Sequence, residues 1–180
     1  MTDLKIRAGS KFPDLQASNL KGKVHNLKKP SGDATWRMVV VYRGAHCPMC
    51  TRYLIKLETL VAQFLEIDVD VVAVSGDSKE QLQRHLEKLD VSFPLYYGIS
   101  TDQMEELGLY ISIPRSEQET DHPFAEPGLF VINDEEKVQV VDISNNPFVR
   151  PDLDQLLSGL SWIRKPENNY PIRGTWRPDS

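Results

Sequence analysis

Cys47 and Cys50 are the only cysteines in the chain, and they stand three residues apart as Cys47-Pro48-Met49-Cys50. A thiolate is the nucleophile of sulfur chemistry, and a second thiol one helical turn away can close a disulfide onto it. Residues three apart share a helical face, and the Cα separation there falls in the disulfide range of roughly 5–6 Å. The chemistry this predicts has two steps. Cys47 attacks a sulfur or oxygen centre, and Cys50 resolves the mixed disulfide or sulfenic acid that results. The alternative for such a pair is two buried structural thiols on a helix.

The elements around the pair decide between these readings. Met38-Val39-Val40-Val41-Tyr42 is continuously apolar and β-branched, the pattern of a strand buried on both faces. Arg43-Gly44-Ala45 is the turn after it. Pro48 suits the first position of a helix, where its missing N–H costs nothing. That places Cys47 at or near the N-cap, where unpaired N–H groups and the helix dipole favour a thiolate. Arg43 and His46 flank it: Arg43 is a positive charge over Cys47 or a surface or sheet-end salt bridge, and His46 is a proton donor to a leaving group or a partly exposed loop histidine. Met49, between the cysteines, can form part of an apolar contact surface for partners.

The rest of the chain supplies the frame. Segments 15–18 and 23–27 predict a small N-terminal hairpin. One helix is predicted over 48–65, with Leu54, Leu57, Leu60, Val61, Phe64 and Leu65 on one face. Val69–Val74 is a second buried strand, followed by a turn and cap at Ser75–Ser78. The next helix carries Leu82, His85, Leu86 and Leu89. A short strand is expected at Phe93–Tyr97 and a short helix at Thr101–Leu107. Residues 109–127 read as irregular, a segment placed to border the site, and His122 within them reads by default as a plain loop residue. Gly128–Asn133 and Val138–Ile143 form a hairpin around an acidic turn, and Pro151–Ile163 is the last helix. Alternating strands and helices with a late hairpin imply an α/β fold, a mixed central sheet flanked by helices. One domain over 1–164 and a tail over 165–180 follow, with Trp176 and the rest of the tail left unassigned.

Composition narrows the function. With 21 basic and 26 acidic residues the net charge is −5, which does not suit a broad nucleic-acid or anionic-membrane surface. No apolar run approaches the roughly 20 residues of a membrane span, and the polar start reads as cytoplasmic without a signal peptide. Two cysteines and four scattered histidines do not make a metal site, and the reaction calls for no cofactor. The acidic stretches Asp134-Glu135-Glu136 and Asp152 with Asp154 fall where a turn and a helix start want acids.

The chain resembles the alkyl hydroperoxide reductase/thiol-specific antioxidant (peroxiredoxin-like) family over roughly residues 5–163. Ala8–Leu15 and Leu20–Val24 are similar to that family's N-terminal hairpin. Tyr42–Cys50 resembles a subgroup with Tyr-Arg-Gly, an aromatic residue and then Cys-Pro-x-Cys, with His46 in the aromatic's place. Val72–Asp77 and Gly128–Asn133 match later strands. The resemblance implies a thioredoxin-like fold with Cys47 at the peroxidatic position. It also implies a hydroperoxide or protein disulfide as substrate, a thioredoxin- or glutathione-type reductant, and a homodimer.

Three positions depart from that pattern: Gly44 replaces a Thr or Ser, Val40 a Pro, and Pro127 the arginine before the matching strand. Pro127 instead resembles the cis-proline that thioredoxins carry beside their cysteines to bind an extended partner. Arg150 resembles an arginine before the family's last helix, and is a stand-in for the missing one or a surface residue. Three functions follow from these residues. The first is a thiol–disulfide oxidoreductase, the second an atypical two-cysteine peroxidase, and the third a redox sensor without turnover.

Overall fold

A computed structural model describes residues 5–178. Its centre is a five-stranded sheet, and its middle strands are the two β-branched runs. Trp36–Val41 (β3) and Val69–Val74 (β4) pair in parallel from Trp36↔Val69 to Val41↔Val74, and every residue of both is buried. Parallel strands with both faces covered carry continuous apolar sequence, which is what these segments show.

One polar pair crosses that apolar layer. Arg37 and Asp70 face each other in register, 2% and 6% exposed. Arg37 Nε donates to Asp70 Oδ1 at 2.9 Å and Nη2 to Oδ2 at 2.8 Å. Arg37 also donates to the Leu27 carbonyl and the Ser31 hydroxyl. This tie between sheet and preceding loop makes β3 begin two residues before the apolar run.

The hairpin of Gln16–Ser18 (β1) and Val24–Asn26 (β2) forms as predicted. After β3 the chain enters Pro48–Glu58 (α1) and then Val61–Glu66 (α2). This corrects the single helix expected over 48–65. Thr59 Oγ1 donates to the Lys56 carbonyl at 2.6 Å, a local bond that competes with helix continuation. Leu54, Leu57, Leu60 and Phe64 still reach the core, but beyond the break Leu65 turns outward and is 53% exposed.

Lys79–His85 (α3) follows β4, opened by a capping box between Ser78 and Gln81. Leu95–Tyr96 (β5) pairs in parallel with β4. Thr101–Glu106 (α4) opens with a second capping box, Ser100 with Gln103. The segment expected to be irregular contains a two-stranded ribbon, Ile111–Ser112 (β6) against Phe124–Ala125 (β7). Strands of two residues leave no periodic trace in a sequence.

Gly128–Ile132 (β8) runs antiparallel to β3, and Val138–Ile143 (β9) antiparallel to β8. The sheet order is therefore β5-β4-β3-β8-β9. Leu153–Ile163 (α5) starts at Asp152, whose carboxylate accepts from the Gln155 N–H at 2.8 Å. The tail folds back: Arg177 donates to the Ala8 carbonyl, and the Trp162 and Tyr170 rings meet edge to face. Among the described residues no helix is long and apolar enough to cross a membrane.

Candidate active site

Strand order brings the chemistry together. Parallel β3 and β4 end at the same level, so the turns after Val41 and Val74 are neighbours. Antiparallel β8 starts there too, with Gly128 opposite Val41. Three loops thus converge, carrying Tyr42–Cys47, Ser75–Ser78 and Phe124–Pro127.

Cys47 is the N-cap of α1, in extended backbone with φ −108° and ψ 101°, and Pro48 takes the first turn. The Cys50 N–H donates to Cys47 Sγ at 3.3 Å. Both cysteines are free and buried, 2% and 0% exposed, while Pro48 and Met49 between them face outward. Arg43 reaches back so that Nη1 lies 3.9 Å from Cys47 Sγ.

Arg43 is itself held on two sides. Nε lies 3.2 Å from Glu126 Oε2, and the guanidinium stacks 4.7 Å over the Phe124 ring. Glu126 is only 4% exposed, and its Oε1 accepts from the Ser112 hydroxyl at 2.7 Å. The β6–β7 ribbon therefore supplies Ser112, Phe124 and, one residue on, Glu126. Thr51 Oγ1 and His85 Nε2, 2.8 Å apart, tie α1 to α3 one turn below the thiol.

The electrostatics divide the two thiols. The Cys47 thiol is lowered to about 6, first by the hydrogen bond from the Cys50 thiol. Burial opposes this, and the Cys50 N–H and Arg43 add to it. The Cys50 thiol is pushed up by the same hydrogen bond and by burial, with the charge of Arg150 opposing. This geometry favours the thiolate at Cys47 and the proton on Cys50.

His46 is corrected by the structure. Burial, then the charge of Arg43, pushes its imidazole down to about 4. Its ring packs on Phe124 at a 4.5 Å centroid distance. A neutral imidazole pressed into an aromatic wall does not match the expected proton donor.

Pro127 is corrected too. Among the described residues every peptide bond is trans. The backbone before it is already engaged, since β7 pairs with β6 and the Glu126 N–H donates to the Tyr110 carbonyl at 2.8 Å. A thioredoxin-like strand edge for an extended partner is absent at this position. Arg150 donates from Nε to the Pro147 carbonyl at 2.8 Å and stacks 4.6 Å from the Tyr53 ring. Its charge bears on Cys50, while Arg43 stands beside Cys47.

The sequence reading missed Asp77, Glu126 and Ser112, and it placed His122 in a plain loop. Strand order holds the missing signal. Once β4 is parallel to β3, a carboxylate three residues past its end lies next to the cysteine turn. Asp77 does so, accepting from the Ala45 N–H at 2.8 Å through Oδ2. Gly44, at φ +144°, makes the space: a Cβ there would lie 2.5 Å from Asp77 Oδ1. A cleft of about 1060 Å³ opens over the site, lined by Arg43, Cys47, Met49, Asp77, Arg84 and Arg115 among others. Among the described residues no cluster of three or more potential ligands forms a metal site.

The chain is similar to known proteins in sequence and in fold. The chain is 24% identical over 104 residues to the thiol-disulfide oxidoreductase ResA of Halalkalibacterium halodurans, covering 57% of each protein. It is 27% identical over 73 residues to peroxiredoxin 1 of Sulfurisphaera tokodaii, covering 41% of this chain and 34% of that one. These matches span from about a third to under two thirds of the curated relatives' lengths.

Among solved structures, peroxiredoxin 6 of Arenicola marina superposes with a TM-score of 0.74 at 16% identity, covering 97% of this chain and 81% of that one. Peroxidoxin BcpB of Mycobacterium tuberculosis gives 0.72 at 20% identity, covering 89% and 99%. These likenesses establish the thioredoxin-like, peroxiredoxin-type fold. A sequence model of the AhpC/TSA family matches residues 8–141, most of the sheet and the whole of the cysteine turn, and the chain belongs to that family.

Proposed function

We propose that this chain is a dithiol oxidoreductase in which Cys47 attacks and Cys50 resolves. One observation carries the reading: the Cys47 sulfur caps α1, accepts the Cys50 N–H at 3.3 Å, and has Arg43 at 3.9 Å. A thiolate so held attacks an electrophilic sulfur or oxygen and becomes a mixed disulfide or a sulfenic acid. Cys50 lies on the next turn with its proton still on. Once Cys47 is no longer anionic, the strongest opponent of Cys50 ionisation is gone, and Arg150 favours the second thiolate. Attack of Cys50 on Cys47 then closes the disulfide, and a thiol reductant reopens it.

A second reading concerns the substrate. The engaged backbone before Pro127 and the cleft over Cys47 favour small oxidants, hydroperoxides or low-molecular-weight disulfides, over an extended polypeptide. Arg43, locked by Glu126, supplies a fixed positive charge where a developing oxyanion or thiolate would sit.

The test uses reduced wild-type protein and Cys50→Ser, each given one equivalent of hydrogen peroxide or of a small disulfide. The wild type is expected to lose both thiols to an intramolecular disulfide. Cys50→Ser is expected to stop with sulfenic acid, or the mixed disulfide, on Cys47. Full turnover by Cys50→Ser would remove Cys50 from the mechanism, and activity in Cys47→Ser would remove the proposal.

A further inference from the structure

His46 packs on Phe124 with both ring nitrogens buried and without a hydrogen-bond partner, so the site still needs a source for the proton that a leaving group takes up. Asp77 lines the cleft and pairs with His122 behind it. Asp77 is 1% exposed, fills the space cleared by Gly44, and lines the same cleft as Cys47. Its Oδ1 lies 3.3 Å from His122 Nε2.

The surroundings of the His122 ring are one-sided. Nε2 is 3.1 Å from Gln81 Oε1, and Nδ1 is 2.8 Å from the Pro123 carbonyl. The Gln81 amide is oriented by two other bonds, because its nitrogen donates to Asp121 Oδ1 at 2.9 Å and its oxygen accepts from the Ser78 N–H at 2.8 Å. Both ring nitrogens thus face oxygen acceptors. A neutral imidazole donates from one nitrogen only and would set a lone pair against oxygen at the other.

Other groups face the pair as well. Asp121 Oδ1 is 3.9 Å from Nε2, the Ala45 N–H and the Ser75–Asp77 turn bond hold Asp77, and the Tyr42 hydroxyl and the His46 ring lie within electrostatic reach. Burial pushes the Asp77 carboxyl up, against the Ala45 N–H and His122.

We propose that Asp77 and His122 share a proton that is delivered to the group Cys47 displaces. This rests on Cys47 being the nucleophile. For a disulfide RSSR the Cys47 thiolate forms a Cys47–SR bond, the S–S bond breaks, and the leaving RS⁻ takes the shared proton to become RSH. For a hydroperoxide ROOH the thiolate takes the terminal oxygen, the O–O bond breaks, and RO⁻ takes the proton to become ROH, with Cys47 left as the sulfenic acid. In both cases sulfur supplies the electron pair. His122, with 23% of its side chain exposed, recovers the proton from solvent.

The experiment compares two disulfides under single-turnover conditions. Dithiobis-nitrobenzoate leaves as an aromatic thiolate that is stable without a proton, whereas hydroxyethyl disulfide leaves as a basic alkyl thiolate. The measured quantity is the ratio of the alkyl to the aromatic rate. His122→Gln is expected to lower this ratio by about tenfold or more, at the low end of general acid catalysis or below it. A merely structural role would slow both reactions and leave the ratio unchanged, which would overturn the proposal. Wild-type protein gives an independent check that needs no variant: the ratio falls as rising pH removes the shared proton, and a ratio flat with pH refutes the pair. Reaction of Cys47→Ser with either disulfide would instead refute the nucleophile assignment.

Discussion

Replacing Gly44 with Ala strikes the packing on which the cysteine turn depends. The backbone there has φ +144°, a region that a residue with a Cβ enters at a cost of about 1–3 kcal/mol. The new methyl would lie 2.5 Å from Asp77 Oδ1 and 3.0 Å from Cγ and Oδ2, all belonging to a side chain that is 1% exposed. Overpacking of that kind costs about 1–3 kcal/mol. Should Asp77 move instead, the 2.8 Å bond to the Ala45 N–H is lost, worth about 1.5–3 kcal/mol for a charged acceptor. Crowding and bond loss are alternatives, so the expected total is about 2–6 kcal/mol, or roughly 10 °C in Tm for a chain of this size.

Urea unfolding of the reduced protein measures this cost, and two glycines serve as controls. Gly22, at φ +81° with nothing within 4 Å of its Cβ direction, pays the backbone term alone. Gly159, inside α5 with the same open space, is expected to gain about 0.5–1 kcal/mol on becoming Ala. A Gly44→Ala protein that loses no more than Gly22→Ala would refute the steric reasoning at Asp77.

Three further outcomes follow. Cys50→Ala removes the leading cause of the low Cys47 value, so the titration midpoint of the Cys47 thiolate moves up from about 6, read from thiolate ultraviolet absorbance. Arg43→Met removes two further causes, a hydrogen bond and a nearby positive charge, and moves it in the same direction, with slower alkylation at pH 7. Arg37→Met strands a buried Asp70 and is expected to cost about 3–5 kcal/mol in urea unfolding, whereas pairing it with Asp70→Leu recovers most of that loss.

How much of this was legible in the sequence varies with the kind of residue. β4 runs from Val69 to Val74 as its β-branched pattern says, because a strand covered on both faces has one solution for its side chains. β3 begins earlier than its apolar run, because Arg37 is buried by a partner 33 residues away. The helix break after Glu58 turns on one hydroxyl bonding back, an event that periodicity does not register. The site shows the same division. Cys47, Pro48 and Cys50 are local in sequence, so their cap geometry was readable. Asp77, Glu126 and Ser112 come from other strands and meet Arg43 and Gly44 only through sheet order. The low His46 value arises from burial against Phe124, far along the chain. The engaged backbone before Pro127 belongs to the β6–β7 ribbon, whose strands are too short to show a pattern.

The most direct test of the central assignment is site-resolved alkylation of the fully reduced protein across pH. A limiting amount of iodoacetamide is used, and each labelled cysteine is located by peptide mass. Cys47 is expected to label first, at a rate that rises through a midpoint of about 6 and then levels, because a thiolate held down in the fold is lost only as pH falls through that value. Cys50 is expected to stay unlabelled until far higher pH. Preferential labelling of Cys50, or a Cys47 midpoint near that of free cysteine, would contradict the account.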